Sequence, residues 1–351
     1  MTIDSSKRAL LTGAPALGGA LLALGACAGE QGAAAAAAGT LGPARTVAWA
    51  VGTTGSDFVL EISLGAADAA EMLGWRFTRI LNTQPTPEAH INAIRQAVTS
   101  RADVILTVDW YQAVVEEIAA GQKKGARFAV VNSANNPREL APLQVPFVGQ
   151  QPRETGRLMG ARIAETLSER GVASGRVLVG NPFPGSLNVE ERIRGVGEGL
   201  AEIAGEAYEL VSFADNAAAD VTASVGLYKA KMTETGNIVA HAVAGGEMSA
   251  VPLSKALAEV GQSAGQTVIG GWVGSLKVLN LIKSGEMSFA LDENLYYQGF
   301  LAVLLSWSML ERQFPAVNLS AGHVWVTPDT VDSMIESYQK RKAKASEYGL
   351  S

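Results

Sequence analysis

Few side chains in this sequence have the types and the spacing that catalysis or metal binding requires. The three histidines, His90, His241 and His323, are far apart in the chain and lack the spacing of metal ligands. Neither a G-x-x-x-x-G-K-S/T phosphate loop nor a G-x-S-x-G nucleophile motif occurs. The glycines of "RGVGEG" (194–199) lie inside a helical pattern, which argues against a dinucleotide-binding loop. The sequence therefore does not predict an enzyme, and we expect no metal and no cofactor.

The only cysteine, Cys27, directly follows an apolar segment near the start of the chain. Lys7 and Arg8 precede a Gly/Ala/Leu-rich run over residues 9–26, which is the layout of an export signal. The motif "LGAC" that ends at Cys27 is similar to the lipobox of bacterial lipoproteins, in which the cysteine is lipidated and becomes the new N-terminus. A plain signal peptide with an incidental cysteine and an uncleaved anchor helix are the alternatives.

The rest of the chain has the composition of an acidic globular protein. Hydrophobic residues make up 48% and charged residues 18% of the 351 residues, so the chain can bury a sizeable core. The formal net charge of −6 argues against nucleic acid as a partner. After the export signal (1–27), the low-complexity residues 28–45 predict a flexible tether.

From Val47 onward, short apolar runs alternate with segments of helical period. "TVAWAV" (46–51) predicts a buried strand, and Phe58, Ile62 and Ala66 then recur at helical spacing. The same alternation restarts after the Pro-rich break "NNPRELAPLQVP" (135–146). Strands separated by helices predict an α/β fold with two successive doubly wound parallel sheets, whose ligand sites lie at the carboxyl ends of the strands.

Several phrases, in this order, resemble segments of the type I periplasmic binding proteins, in the ribose/galactose-type sugar-binding group. They are "GAADAAEMLGW", "EAHINAIRQAVTSRADVILT", "NVEERIRG" and "TVIGGWVGSLKVLNLIKSGEMSFALDENLYYQGFLAV". The resemblance extends from about Val47 to Val331. The last phrase contains "ENLYYQG", which looks like a protease-cleavage scar from an expression vector. It lies deep in the chain with apolar patterning on both sides, so we interpret it as native.

The resemblance implies two α/β lobes that are joined by three crossing segments and close over a ligand. The crossings are expected near Gly149–Gln150, Asp292–Glu293 and Gly322–Val324. The N-terminal lobe would then comprise residues 46–149 and 293–322, and the C-terminal lobe residues 150–292 and 323–351.

The resemblance also implies the positions that contact the ligand. Arg192, in the family's R-x-x-G motif, would donate two parallel hydrogen bonds to ligand oxygens. Glu293, where a glutamine is usual, would be a main acceptor. Asn132 occupies the place of an aspartate that is common in ribose binders. Phe58 would keep an aromatic wall after the first strand, although a core position in the first helical turn explains it equally well.

Trp272 departs most from the family pattern, because the strand that ends in "IGGW" normally ends in an aspartate. An indole offers a flat apolar face and one donor, and it cannot hold vicinal hydroxyls as a carboxylate does. Trp110 would add aromatic surface, and Asp109 would be the second main acceptor. A ligand with an apolar face, or with a cation opposite Glu293, becomes credible. The alternative is an ordinary sugar, with Trp272 packed into the cleft floor.

The function that these features imply is a solute-binding receptor of an ABC importer. We expect a monomer in the periplasm or at the cell surface that meets the membrane only through its lipid anchor and delivers a small-molecule ligand to an ABC permease in the inner membrane. A sensor module that feeds a membrane receptor or kinase is the alternative. A repressor of the lac type would need an N-terminal helix-turn-helix, where this chain has an export signal.

Overall fold

The strands of the structure coincide with the short apolar runs of the sequence. The computed structural model describes residues 41–53, 56–82, 86–215, 220–262 and 265–350. The first strand, β1 (Thr46–Val51), is buried from its second residue onward, as expected in a parallel sheet that helices cover on both faces. Strands and helices alternate along the described residues, which confirms the predicted α/β class. The predicted export signal and Cys27 lie outside the described residues.

The first sheet has six strands, all parallel to their neighbours. They are β1, β2 (Arg76–Leu81), β3 (Val104–Asp109), β4 (Arg127–Ala134), β5 (Phe147–Gly149) and β11 (Leu319–Ser320), in the order β11-β5-β4-β3-β1-β2. Alternate residues of β1 pack on opposite faces. Val47 and Trp49 pack with α1 (Asp57–Met72) and α10 (Leu295–Arg312), and Ala48 with α2 (Pro87–Thr99) and α3 (Gln112–Gln122). We call this sheet, its four helices and the short α4 (Pro137–Leu140) the N-terminal lobe.

The second sheet also has six strands, and only β12 among them runs antiparallel to its neighbour. They are β6 (Gly175–Asn181), β7 (Tyr208–Ala214), β8 (Ile238–Val243), β9 (Val268–Val273), β10 (Phe289–Asp292) and β12 (Val324–Val326), in the order β12-β10-β9-β8-β6-β7. One face packs with α5 (Pro152–Glu169) and α6 (Leu187–Ala204). The other packs with α7 (Val221–Thr235), α8 (Glu247–Glu259) and α9 (Leu276–Lys283). This sheet and these five helices form the C-terminal lobe.

The chain passes between the two sheets three times, and one side chain joins the three passages. Gln150, buried just after β5, donates from Nε2 to the carbonyl oxygen of Asp292 at 2.8 Å and to that of Gly322 at 3.0 Å. Asp292 ends β10 and Gly322 lies between β11 and β12. The buried amide of Gln150 therefore bonds the other two passages and fixes the spacing of all three at the point where the chain changes lobe.

The last helix, α11 (Val331–Glu347), contacts both lobes. Tyr338 packs with the C-terminal lobe, whereas Ala345 packs against α1 of the N-terminal lobe. Arg341 on the same helix forms an ion pair of 2.6 Å with Glu61 of α1. Burial raises the pKa of Glu61 to about 7, because the loss of hydration outweighs the attraction of Arg341. The helix therefore ties the two lobes together beside the hinge.

Helices α5 and α6 approach each other through glycines. A Cβ atom at Gly160 would lie 2.0 Å from the carbonyl oxygen of Val196, and one at Gly199 would lie 1.9 Å from that of Arg157. A Cβ at Gly156 would lie 2.2 Å from the carbonyl oxygen of Arg192. The backbone of α6, and with it the arginine that the sequence selects, is therefore positioned by this close contact.

We expect Gly160→Ala to lower the free energy of unfolding by about 1–3 kcal/mol, because the added methyl group forces the two helices apart. Gly226→Ala is the matched control, since Gly226 lies in the exposed interior of α7 with open space around it. The free energy of unfolding of Gly226→Ala should rise by about 0.5–1 kcal/mol, because alanine has a higher helix propensity than glycine. Urea denaturation of both variants tests the contact, and equal stability of the two would contradict it.

Candidate functional site

Polar side chains from both lobes meet between the carboxyl ends of the two sheets. Asn132 comes from the end of β4 in the N-terminal lobe, and Arg192 comes from α6 in the C-terminal lobe. Glu293 lies between them, in the passage that follows β10. Parallel strands with helices in between leave their carboxyl ends free of covering helices, and this is where doubly wound folds bind ligands. We call these three residues the cleft triad.

The cleft triad is held by short contacts that centre on Glu293. Arg192 Nη2 lies 3.1 Å from Glu293 Oε1, and Asn132 Nδ2 donates to Glu293 Oε2 at 3.0 Å. Arg192 Nη1 also donates to the carbonyl oxygen of Ala244 at 3.2 Å. The side chains of Arg192 and Glu293 are only 7% and 13% exposed. One positive and one negative charge are therefore paired in a nearly dry site, which leaves the triad with no net charge.

The cleft triad has one unpartnered donor and one unusual backbone conformation. Arg192 Nε is buried and has no partner among the described residues. Asn132 adopts a left-handed backbone with φ of 64°, a conformation that asparagine tolerates better than most residues. That backbone turns the side chain of Asn132 toward Glu293 at the end of β4. The triad thus presents guanidinium, carboxylate and amide groups within one small volume.

Trp272 lies under Arg192. Its indole is fully buried in the core of the C-terminal lobe, and the guanidinium carbon of Arg192 lies 4.8 Å from the ring centroid. A cation over an aromatic face is stabilised by the ring quadrupole. This arrangement favours the alternative in which Trp272 is packed into the floor of the cleft and the ligand is an ordinary sugar. Direct stacking of Trp272 on a ligand stays a prediction, and it would require Arg192 to move.

Asp109 is buried with both carboxylate oxygens already engaged. The backbone N–H of Asn136 donates to Oδ2 at 2.6 Å, and the side-chain amide of Asn136 donates to Oδ1 at 2.7 Å. Burial raises the pKa of Asp109, and the hydrogen bonds from Asn136 oppose that shift. The carboxylate therefore fixes the loop after β4. Its predicted role as a ligand acceptor would require it to exchange these bonds.

A second group of predicted residues forms an aromatic cluster at the end of the first sheet. The rings of Phe58 and Trp110 are both half-buried, and their centroids lie 6.0 Å apart. His90 meets Trp110 edge-on at 5.3 Å. Burial lowers the pKa of His90 to about 4, so the ring is neutral and packs as an aromatic group at physiological pH. Phe58, Trp110 and the equally half-buried Tyr111, whose ring lies 6.5 Å from that of Trp110, therefore leave some aromatic surface uncovered in this part of the molecule.

Sequence reasoning missed several side chains that connect the lobes beside the cleft triad. Asn135 Oδ1 accepts from the backbone N–H of Asn188 at 2.9 Å, and Asn188 Nδ2 donates to Ser133 Oγ at 2.5 Å. Asn135 Nδ2 also donates to Ser186 Oγ at 3.3 Å. The available signal was the run "NSANN" (132–136) across the end of β4, because doubly wound sheets place ligand sites at the carboxyl ends of their strands.

Other kinds of site find no support in the described part of the chain. No group of three histidine, cysteine or acidic side chains gathers there that could hold a metal ion. No helix among those residues is long and apolar enough to cross a membrane.

Two doubly wound lobes, a chain that crosses between them three times and a polar cleft between the carboxyl ends of the sheets define the class of two-lobe α/β proteins. The sequence profile of the periplasmic binding protein domain matches residues 47–313. The chain belongs to this family, which confirms the resemblance in the sequence.

Solved structures with the same fold are distant in sequence. One is an ABC transporter solute-binding protein from Actinobacillus succinogenes with bound D-allose, which is 19% identical, with a TM-score of 0.71, over 82% of this chain and 99% of that one. A periplasmic ribose ABC transporter protein from Conexibacter woesei is 20% identical, with a TM-score of 0.70, over 85% and 97% of the two chains. A carbohydrate transporter protein from Acidothermus cellulolyticus in complex with myo-inositol is 19% identical, with a TM-score of 0.69, over 85% and 99%. A comparison with curated protein sequences finds no match.

We expect Arg192→Ala to weaken ligand binding by about 2–4 kcal/mol, because Glu293 and the ligand acceptors would lose a charged partner in the closed cleft. The free energy of unfolding should fall as well, because Arg192 also packs over Trp272 and donates to the carbonyl oxygen of Ala244. Arg194→Ala is the control, as Arg194 lies two residues away on the same helix and is solvent-exposed. Calorimetry that gives Arg192→Ala and Arg194→Ala the same affinity would remove Arg192 from the site.

Proposed function

We propose that this protein is an extracytoplasmic receptor that closes two lobes over a small, neutral, polyhydroxylated ligand, a sugar or a sugar-like molecule, and delivers it to an ABC permease. The observation that carries this proposal is the charge balance of the cleft triad. The proposed lobes comprise residues 46–149 with 293–322 and residues 150–292 with 323–351. The role is binding and transfer without chemical change of the ligand.

The charge balance supports a neutral ligand. Arg192 and Glu293 already neutralise each other at 3.1 Å in a site that excludes most water. A charged ligand would add an unpaired charge there, and desolvating an unpaired charge is costly. A neutral polyol instead offers hydroxyl groups that accept from Arg192 and Asn132 and donate to Glu293.

A cationic ligand opposite Glu293 finds less support than the sequence alone suggested. The guanidinium of Arg192 already occupies the space beside this carboxylate, so a ligand cation would meet like charge. The aromatic contact that a sugar ring commonly needs is available from Phe58 and Trp110, whose rings remain partly exposed. D-allose and myo-inositol, bound in two of the similar structures, are both neutral polyols.

Calorimetry with a charge-matched series of ligands tests the proposal. Each neutral aldose, such as D-galactose, is titrated beside its amino and acid analogues, D-galactosamine and D-galacturonate, and myo-inositol is included as a cyclic polyol. We expect a neutral member to bind with micromolar or tighter affinity and its charged analogues at least tenfold more weakly. Preferred binding of an amino sugar, or of an amino acid, would contradict the proposal.

We also propose that Cys27 carries the lipid that anchors the receptor to the membrane. The support is the export-signal layout before Cys27 and the tether-like composition after it. We expect Cys27→Ala to release a soluble exported protein with unchanged ligand affinity, as measured by membrane fractionation and calorimetry. Retention of the variant in the membrane fraction would indicate an uncleaved anchor helix instead.

A further inference from the structure

Two helices of the C-terminal lobe begin with a serine whose hydroxyl does not cap them. Ser186 precedes α6 and Ser275 precedes α9, and neither side chain accepts from its own helix. Serine is among the preferred N-cap residues, because its oxygen can accept from the second or third N–H of the helix. Other helices of this protein are capped in this local way, among them α2 by Thr86 and α7 by Asp220.

The N-terminal lobe supplies the missing cap of α6. Asn135 Oδ1 accepts from the backbone N–H of Asn188, the second residue of α6, at 2.9 Å. This is the bond that the hydroxyl of Ser186 would make in a local cap. The amide of Asn135 also donates to Ser186 Oγ at 3.3 Å. The residue that caps α6 in place of Ser186 therefore also bonds the hydroxyl of Ser186.

The N-terminal lobe also supplies an acceptor at the N-terminus of α9, where it bonds the first N–H of the helix and not the second or third N–H that a local serine cap would bond. Asp57 Oδ2 accepts from the backbone N–H of Leu276, the first residue of α9, at 3.0 Å. Asp57 is itself the first residue of α1, so its carboxylate lies beside the positive ends of two helices. The hydroxyl of Ser275 is buried and has no hydrogen-bond partner among the described residues. This serine is thus a cap residue that the present arrangement leaves unused.

We propose that closure of the cleft exchanges helix caps between the lobes. In the closed form Asn135 and Asp57 cap α6 and α9 across the cleft. In the open form these side chains withdraw, and Ser186 and Ser275 rotate to cap the same helices locally. Each helix N-terminus therefore keeps a hydrogen-bond acceptor when the cleft opens. The closed form is stabilised over the open form only by the difference in free energy between a cap from across the cleft and a local serine cap.

This exchange gives the receptor a shallow equilibrium between its two forms. Loss of one cap typically changes an equilibrium constant about fivefold. Two caps of this size stabilise the closed form, and the local serine caps of the open form cancel part of that stabilisation. The closed form is therefore only weakly favoured, and a ligand can leave. A ligand-free protein should consequently populate both forms, and a ligand needs only modest differential contacts to complete the closure.

The distance between two spin labels measures the equilibrium without any ligand, so the result is independent of the function proposed above. Cys27→Ser leaves the full chain without a cysteine, and Ala113→Cys and Met248→Cys then place one label on each side of the cleft. Both positions are exposed and lie near the starts of α3 and α8. Pulsed electron spin resonance gives the populations of short and long distances.

We expect Asp57→Ala and Asn135→Ala each to raise the ratio of open to closed protein about fivefold. Asp57→Asn keeps an acceptor oxygen, so it should retain part of the closed population that Asp57→Ala loses. Ser275→Ala should act in the opposite direction, because it removes a cap that only the open form uses. Asp220→Ala is the matched control, since it removes a carboxylate cap from α7 within one lobe, where Asp220 Oδ1 accepts from Thr222 at 2.8 Å.

Three outcomes would overturn the inference. Distance distributions of Asp57→Ala and Asn135→Ala that match that of Asp220→Ala would show that these caps do not control closure. A shift of Ser275→Ala toward the open form would show that the serine supports the closed form. A parent protein with long distances alone would show that the caps cannot hold the lobes together.

Discussion

The arrangement of the cleft depends on one requirement, that the buried charge of Arg192 be neutralised. The guanidinium is carried on α6, whose backbone is set by the glycine contacts with α5. Its counter-charge, Glu293, comes from a passage between the lobes, and Asn132 of the N-terminal lobe completes the coordination of that carboxylate. A buried ion pair that loses a partner is strongly unfavourable, so the arrangement of the two lobes in this structure is favoured by charge as well as by shape. The hinge beside it is fixed by the amide of Gln150.

Much of this fold follows from patterns that are local in the sequence. Continuous apolar runs such as "TVAWAV" mark strands that helices cover on both faces, and the helical spacing of Phe58, Ile62 and Ala66 marks α1. The family resemblance added Arg192, Glu293 and Asn132, and the structure brings these three together. The periodicity of the sequence indicates which helices and strands exist. The three crossings between the lobes, in contrast, were predicted only from the family resemblance.

What the sequence could not supply were relationships between side chains that are distant in the chain. Trp272 lies beneath Arg192, and Asn136 donates hydrogen bonds to Asp109. Both contacts depend on how the folded helices, strands and loops pack together. The caps given by Asn135 and Asp57 are invisible to a search for N-caps, because such a search examines only the residues adjacent to a helix. A local rule in fact selects Ser186 and Ser275, which do not cap their helices in this form.

The central claim is that the cleft holds a neutral, hydroxyl-rich molecule on the cleft triad, and mass spectrometry of small molecules released from the purified protein tests it most directly. The protein is isolated from its native host without added ligand, denatured, and compared with an equal amount of the Arg192→Ala variant. The account predicts a neutral polyol at near-stoichiometric amount from the parent and its depletion from the variant. Release of an amine, an amino acid or another charged metabolite in stoichiometric amount would contradict it.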